Sequence, residues 1–354
     1  MRILIAGGCG FVGSSLAIYL KTKYPHYKII VYDNLIRKGS ELNLLRLKDL
    51  DISIIKGDVC DQAKIRSVPE MDVIIDAAAE PSVLAGINES PKYVIDTNFG
   101  GTINLAEAAR QWGSLLVFLS TSRIYPFDRL NAIPYRTLES RFEFEERTPR
   151  IISPRGINET FSVDGVKSFY GASKFAAENF LKEYGSFHGL NSIINRFGVI
   201  SGPFQMGKID QGILVHWLSA HFWKKPINYL GFGGEGKQVR DILHCEDACR
   251  LIDIQIHDST KYLGEIWNVG GGRNNSISLK ELTSYCEEIT GQQINIGSIP
   301  ETRQADVRIY YTDNSKIEKA SGWSPEKSIG KCIEDTYGWL EADHERLRNI
   351  LGQT

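Results

Sequence analysis

Tyr170 and Lys174 stand four residues apart in Tyr-Gly-Ala-Ser-Lys, and on a helix side chains at i and i+4 share a face and can converge on one site. A Lys ammonium close to a phenol favours the phenolate and draws its pKa toward neutrality. Such a phenol can exchange a proton with a hydroxyl while a hydride leaves the same carbon. Taken alone, Tyr-x-x-x-Lys is common and often marks only a helix face with solvated ends. Placement raises its weight. Upstream, Leu119-Ser120-Thr121-Ser122-Arg123-Ile124-Tyr125 closes an apolar strand, and a hydroxyl at the carboxyl end of a parallel strand faces the ligand crevice. Thr121 is the third candidate catalytic residue, hydrogen bonding the reacting oxygen, with Ser120 or Ser122 in that role if the register is off by one.

A hydride needs an acceptor, and the N-terminal segment supplies a place for one. Gly7-Gly8-Cys9-Gly10-Phe11-Val12-Gly13 follows one apolar run and opens the next, the context a dinucleotide-binding turn requires. Gly7 permits the tight turn, Gly10 lets the backbone approach a pyrophosphate, and Gly13 allows close packing of helix on strand, with the helix N-terminus facing the anion. The next strand ends at Asp33, where a carboxylate accepts hydrogen bonds from both ribose hydroxyls of the adenosine half. This favours NAD over NADP, although Arg37 and Lys38 just beyond would soften the repulsion of a 2′-phosphate. The third strand exits into Gly57-Asp58-Val59, placed to flank an adenine ring. The fourth exits into Asp76-Ala77-Ala78-Ala79, small enough to admit the cofactor backbone. Lys174 would also hold the nicotinamide ribose.

These residues have to be positioned by regular elements, and the periodicities supply them. Ile3–Ala6, Ile29–Tyr32, Ile52–Ile55, Val73–Ile75, Leu115–Leu119 and Ser192–Asn195 read as short buried strands separated by longer segments, which implies a parallel sheet with helices on both faces. Asp96–Trp112 and Gly171–Tyr184 carry apolar residues at helical spacing and should pack on that sheet. The fold class is therefore α/β, a Rossmann-type doubly wound parallel sheet with a smaller C-terminal substrate lobe. The expected division gives residues 1–196 plus about 237–272 to the NAD-binding domain, and about 197–236 plus 273–354 to the lobe. Between Tyr125 and Phe169 a charged, proline-containing stretch of poor periodicity suits either a lid or a solvated insertion.

Composition excludes several classes of partner. The chain has 354 residues, 42% of them hydrophobic, and a formal net charge of -2, so it offers no bulk attraction to nucleic acid or to a membrane surface. No apolar run reaches the ~18 residues of a membrane span, and the start, Met1–Gly13, lacks the apolar core and cleavage site of a signal peptide. A cytoplasmic location follows as the expectation. The six cysteines are scattered and the seven histidines lack ligand spacing; reduced thiols and no metal are expected.

The ordered motifs GGCGFVG, Asp33-Asn34, Gly57-Asp58-Val59, Asn98-Phe99-Gly-Gly-Thr102, STSRIY, YGASK and Arg240-Asp241 resemble the extended short-chain dehydrogenase/reductases that act on nucleotide sugars, over nearly the whole chain. The resemblance implies a triad of Thr121, Tyr170 and Lys174. It also implies cofactor contacts from Gly7, Gly10, Phe11, Val12, Gly13, Asp33, Asn34, Arg37, Asp58, Val59, Ala77, Ala78, Ala79, Asn98 and Ser120. Asp33–Gly39, Glu139–Phe142, Ile209–Gly212 and Gly236–Asp247 are similar more narrowly to the CDP-paratose 2-epimerases, also called CDP-tyvelose epimerases. This second likeness implies oxidation of carbon 2 of a CDP-hexose to a ketone on tightly held NAD and return of the hydride to the opposite face. Ser122, Arg123, Asp210 and Gln211 become substrate candidates. Arg240 and Arg303 become a diphosphate clamp, because guanidinium groups meet phosphate oxygens in a bidentate fork. For both arginines the alternative is a surface residue paired with Asp241 or Asp306.

Three departures from the family pattern bear on substrate identity: Pro126 stands at a usual Gly, Asp76 at a usual His, and Phe-Gly-Val-Ile-Ser-Gly follows Arg196. A 4,6-dehydratase would carry Asp-Glu directly after Thr121, where this chain has Ser122-Arg123. A UDP-sugar 4-epimerase needs only the same triad and is the alternative among enzymes. A non-catalytic NAD-binding regulator would keep the nucleotide turn and lose Tyr or Lys, and this chain keeps both. Family members bury the counterparts of Asp96–Trp112 and Gly171–Gly185 in a symmetric four-helix contact, which implies a homodimer.

Overall fold

Strands β1 (Arg2–Ala6), β2 (Lys28–Asp33), β3 (Ser53–Lys56), β4 (Val73–Asp76) and β5 (Leu115–Thr121) are built around runs of Ile, Leu and Val, the composition of strands covered on both faces. With Ser192–Phe197 and Ile266–Val269 they form one seven-stranded sheet. Its order is Ile266–Val269, Ser192–Phe197, β5, β4, β1, β2, β3, and β1 pairs in parallel with both β2 and β4. The order reverses at β1, and in such sheets ligands bind outside the carboxyl ends of the strands at that reversal. The computed structural model describes residues 1–145, 152–207 and 211–352.

Two compact units divide the chain. The first comprises Met1–Ile124, Ser168–Phe197 and Ala248–Trp267, the second Tyr125–Lys167, Gly198–Asp247 and Asn268–Thr354. Relative to the division expected from sequence, Tyr125–Lys167 and the strand Val239–His244 belong with the second unit. The first unit holds a core of Leu4, Ile74, Leu105, Leu116, Phe118, Ala177 and Leu181, all wholly buried. The second is organised by a four-stranded sheet of Val199–Ser201, Val239–His244, Ser276–Ser278 and Ile309–Tyr310. There the wholly buried Asp241 accepts hydrogen bonds from the amides of Gly272 and Thr312, each at 3.0 Å. The stretch after Tyr125 contains a short helix, Phe127–Asn131, and a hairpin of Tyr135–Thr137 with Phe142–Phe144. Its described residues thus include regular structure.

Two helices position the chemistry. The helix Phe169–His188 starts at Ser168, whose hydroxyl accepts the amide of Gly171, and stops at Gly189 in the left-handed region, φ 65°; these are ordinary start and stop signals. The expected helix from Asp96 is real from Gly101 to Trp112, but it is preceded by an α-helical turn at Lys92–Ile95 and a π-helical turn at Asp96–Gly100. Such π turns widen a helix locally and are frequent at functional sites. Among the described residues no helix is long and apolar enough to cross a membrane.

Candidate active site

The site begins where β1 ends. Gly7 turns the chain with φ 69°, and a Cβ on it would stand 2.6 Å from the Ala77 carbonyl oxygen, while one on Gly13 would stand 2.3 Å from the Gly7 oxygen. The turn after β1 therefore lies directly on the backbone leaving β4, and the helix α1 (Phe11–Lys23) lies directly on that turn. Gly10 starts α1 with no side chain in the capping position, so the N-terminal amides of Phe11, Val12 and Gly13 are kept for an anion. A glycine cradle of this shape with an uncapped helix end fits a dinucleotide's diphosphate.

Asp33 closes the cradle. Its Oδ2 accepts the Cys9 amide at 2.9 Å and its Oδ1 the Leu35 amide at 2.8 Å. Each carboxylate oxygen has a second lone pair for a ribose hydroxyl. Asn34 is tied elsewhere: its amide donates to Asp58 Oδ2 at 2.9 Å, and the Cys60 amide donates to Asp58 Oδ1 at 2.8 Å. Burial works against the Asp58 carboxylate, but these donors hold its pKa below the usual range. The Asn34 and Asp58 side chains thus brace the loop walls. Arg37 precedes the helix Ser40–Lys48 and accepts from Ser40 through its carbonyl at 2.7 Å. Val59 packs where a Cβ on Gly101 would meet it at 2.5 Å.

Asn98, in the π-helical turn, is wholly buried. Its Oδ1 accepts the Glu80 amide at 2.8 Å, and its Nδ2 donates to the Glu80 carbonyl at 3.0 Å and to Ser173 Oγ at 3.3 Å. The side chain is spent on holding the segment after Ala77, Ala78 and Ala79 against the helix Phe169–His188.

Tyr170, Lys174 and Glu178 follow one another at four-residue intervals along the helix Phe169–His188, on one face. The end of β5 and this helix meet: Lys174 Nζ donates to the Leu119 carbonyl, and the Thr121 side chain is near enough to the Tyr170 phenol to favour its ionised form. Burial pushes the Tyr170 phenol up; the neighbouring Thr121 side chain and the Arg123 charge oppose that, and Glu80 adds to it. Thr121 and Arg123 are the groups that favour the ionised phenol, where the expectation gave that part to Lys174. The physical reason is its seat: Lys174 is wholly buried and donates to the Leu119 carbonyl at 3.1 Å, with its Nζ 4.5 Å from the centre of the Phe118 ring. Burial lowers its pKa, and Asp76 and Glu178 oppose that.

Of the three hydroxyls at the end of β5, Thr121 is the one at the phenol. Ser120, read from sequence as a cofactor contact, donates to Glu178 Oε1 in a buried network. Ser122 is buried in the 3₁₀ turn Ser122–Ile124, and Arg123 donates its amide to Thr121 Oγ1 at 3.2 Å. Glu178 is gripped from its other side by Arg196, with Nε–Oε1 3.0 Å and Nη2–Oε2 2.7 Å. Sequence reading passed over Glu178, Arg196 and Glu80. A signal existed for two of them: Glu178 lies one turn beyond Lys174, and Arg196 is a lone charge near the end of the otherwise buried run Ser192–Phe197.

In the second unit, Arg240 Nη2 donates to Asp306 Oδ1 at 2.8 Å, and the Asp306 amide donates to the Arg303 carbonyl at 3.3 Å. The two arginines therefore share one neighbourhood, and Arg240 pairs with Asp306, not with Asp241. Gln211 lies just before Gly212, which starts the helix Ile213–Phe222; Asp210 falls outside the described residues.

Residues 3–270 match the model of the NAD dependent epimerase/dehydratase family. The chain is 33% identical over 351 residues to a CDP-paratose 2-epimerase from Salmonella typhi, covering 97% of this chain and 100% of that protein. It is 28% identical to a UDP-glucuronate 4-epimerase from Thermodesulfobacterium geofontis, with 98% of each covered. Among solved structures, the UDP-glucose 4-epimerase of Thermus thermophilus in complex with NAD superposes with a TM-score of 0.76 at 25% identity, covering 96% of this chain and 99% of that one. The cradle, the Tyr170 and Thr121 pair and these likenesses agree: the chain belongs to the NAD dependent epimerase/dehydratase family, enzymes that work on nucleotide sugars.

Proposed function

We propose that this enzyme inverts carbon 2 of a CDP-linked hexose, interconverting sugars of the CDP-paratose and CDP-tyvelose type without net oxidation. The observation that carries the reaction class is the meeting of Thr121 and Tyr170 at the end of β5, with Lys174 one helical turn further on. The choice of carbon 2 and of cytidine rests on the Salmonella typhi relative and on the motifs around Asp33, Gly212 and Arg240.

Bound NAD would supply the reversible hydride acceptor that such an inversion needs. Tyr170 takes the hydroxyl proton as the ketone forms and gives it back as the alcohol re-forms. Thr121 holds the reacting oxygen, and Lys174 holds the nicotinamide ribose. Gly7, Gly10 and Gly13 with the N-terminus of α1 hold the cofactor diphosphate, and Asp33 its adenosine ribose. Arg240 and Arg303 bind the substrate diphosphate, Arg240 exchanging Asp306 for phosphate oxygens. Ser122, Arg123, Asp210 and Gln211 are the candidate residues for the sugar.

Two further assignments belong to this reading. The exposed Tyr93, Ile95, Phe180 and Phe187 lie on or beside the two helices assigned to a homodimer contact, an apolar surface that suits a second copy. All six cysteines are free, which supports the cytoplasm. Incubation with a panel of CDP- and UDP-hexoses followed by proton NMR tests the substrate: a new anomeric signal from CDP-paratose or CDP-tyvelose is expected. Turnover confined to carbon 4 of a UDP-hexose would assign the alternative.

A further inference from the structure

We propose that Asp76 is a positioning residue of this site: its carboxylate, fixed at the end of β4, is the counter-ion that keeps Lys174 seated as an ammonium at the end of β5. The inference rests on the role given to Lys174 above and supplies the group that makes that role tenable in a buried place.

The geometry follows from strand register. Asp76 pairs with Phe118 across the parallel β4 and β5, neighbouring strands lie about 4.8 Å apart, and paired residues project from the same face. The Lys174 Nζ lies 4.5 Å from the centre of the Phe118 ring and bonds to the Leu119 carbonyl. The ammonium is thus held over the strand position directly beside Asp76. Both side chains are almost completely buried, at 1% exposure each.

A buried ammonium needs an opposite charge, because desolvation otherwise drives it neutral. Two carboxylates act on Lys174, Asp76 first and Glu178 second. Glu178 is already matched by the fork of Arg196 and by the Ser120 hydroxyl, which leaves Asp76 as the unmatched one. Reciprocally, burial raises the Asp76 carboxyl, and Lys174 is the first group to oppose that, followed by Thr102 and the Ala78 amide. Thr102 Oγ1 donates to Asp76 Oδ2 at 2.6 Å and the Ala78 amide to Oδ1 at 3.2 Å, so the carboxylate is aimed as well as charged. The remaining charged groups of the site, Arg123 and Glu80, act on Tyr170 and not on Lys174. The four buried groups Asp76, Lys174, Glu178 and Arg196 are two acids and two bases, so their charges match when all are ionised. Because the Ala78 amide that aims Asp76 lies in the loop leaving β4 for the cofactor, the same carboxylate ties the cofactor loop to the catalytic lysine.

A double-mutant cycle on the cofactor-free enzyme tests the pairing without substrate. Asp76→Asn and Lys174→Met each leave one buried charge unopposed, so each is expected to lower the melting temperature by several degrees, and the double variant to recover most of that loss. A double variant that folds where a single does not counts as recovery. Additive losses, or a double variant that fails alongside the singles, overturn the pairing. The consequence is read from NAD affinity. In Asp76→Asn the lysine pKa falls further, so the ammonium present at low pH is lost as pH rises. Affinity should then drop about 10-fold between roughly pH 6 and pH 9 while the parent changes little. A pH-independent loss would mean Asp76 acts only as a packing group and overturns the positioning role. Lys174→Met binding NAD as tightly as the parent would instead sink the cofactor role of Lys174 and leave the pairing to the cycle alone.

Discussion

The charged groups of the two units are held in different ways. In the first, Asp76, Lys174, Glu178 and Arg196 sit on one strand end, one helix and a second strand, each at most 4% exposed. In the second, Arg240 and Asp306 form a single pair with side chains 14% and 24% exposed, on a strand and an adjoining loop. Buried ions on regular elements cannot be rearranged cheaply, whereas a partly solvated pair can be exchanged for a ligand's phosphates at little cost. The first arrangement suits a reaction whose proton and hydride positions must stay fixed, and the second suits recognition of a charged substrate that enters and leaves.

Substitutions should therefore separate along the same line. The largest effect is expected from Glu178→Gln, which strips the Arg196 guanidinium of its charge partner in a buried site and should cost roughly 3–5 kcal/mol of stability. Thermal or denaturant unfolding measures it, and a loss under about 1 kcal/mol would show that the buried set is not a unit. Tyr170→Phe should lower kcat by roughly 100-fold or more with NAD still bound; a near-parental rate would remove the phenol from the chemistry. Asp33→Ala should weaken NAD binding by roughly 10-fold and relax discrimination against NADP, as titration with both cofactors would register. The smallest effect on turnover belongs to the second unit: Arg240→Ala and Arg303→Ala should raise KM by about 10-fold and leave kcat within a few-fold, since diphosphate contacts are made in ground and transition states alike. A collapse of kcat there would erase the contrast between the units.

The first unit was largely legible because its signals are local. Glycines at fixed offsets after an apolar run, an acid at the end of the next strand and Tyr-x-x-x-Lys on a helix each follow from backbone geometry or helical spacing within a few residues. What escaped depends on contacts between distant segments. Nothing near Asn98 tells that its amide will grip the Glu80 backbone, and nothing near Asp76 tells that strand register sets it beside the Lys174 ammonium. The same holds for Ser120, an evident strand-end hydroxyl whose partner, Glu178, lies 58 residues on. In the second unit Arg240 and Asp306 are 66 residues apart; the pairing was one of two open alternatives, and only the fold selects between them.

The central claim is that the same hydrogen leaves and returns to one sugar carbon while Tyr170 handles only the hydroxyl proton. Turnover of CDP-paratose in deuterium oxide, followed by proton NMR of the product, tests it most directly. The account predicts that the hydrogen on carbon 2 of the epimer is retained through many turnovers, with no net accumulation of reduced cofactor. Deuterium at carbon 2 would contradict it, because the carbon would then have been inverted by exchange with solvent and not by a hydride held within the site.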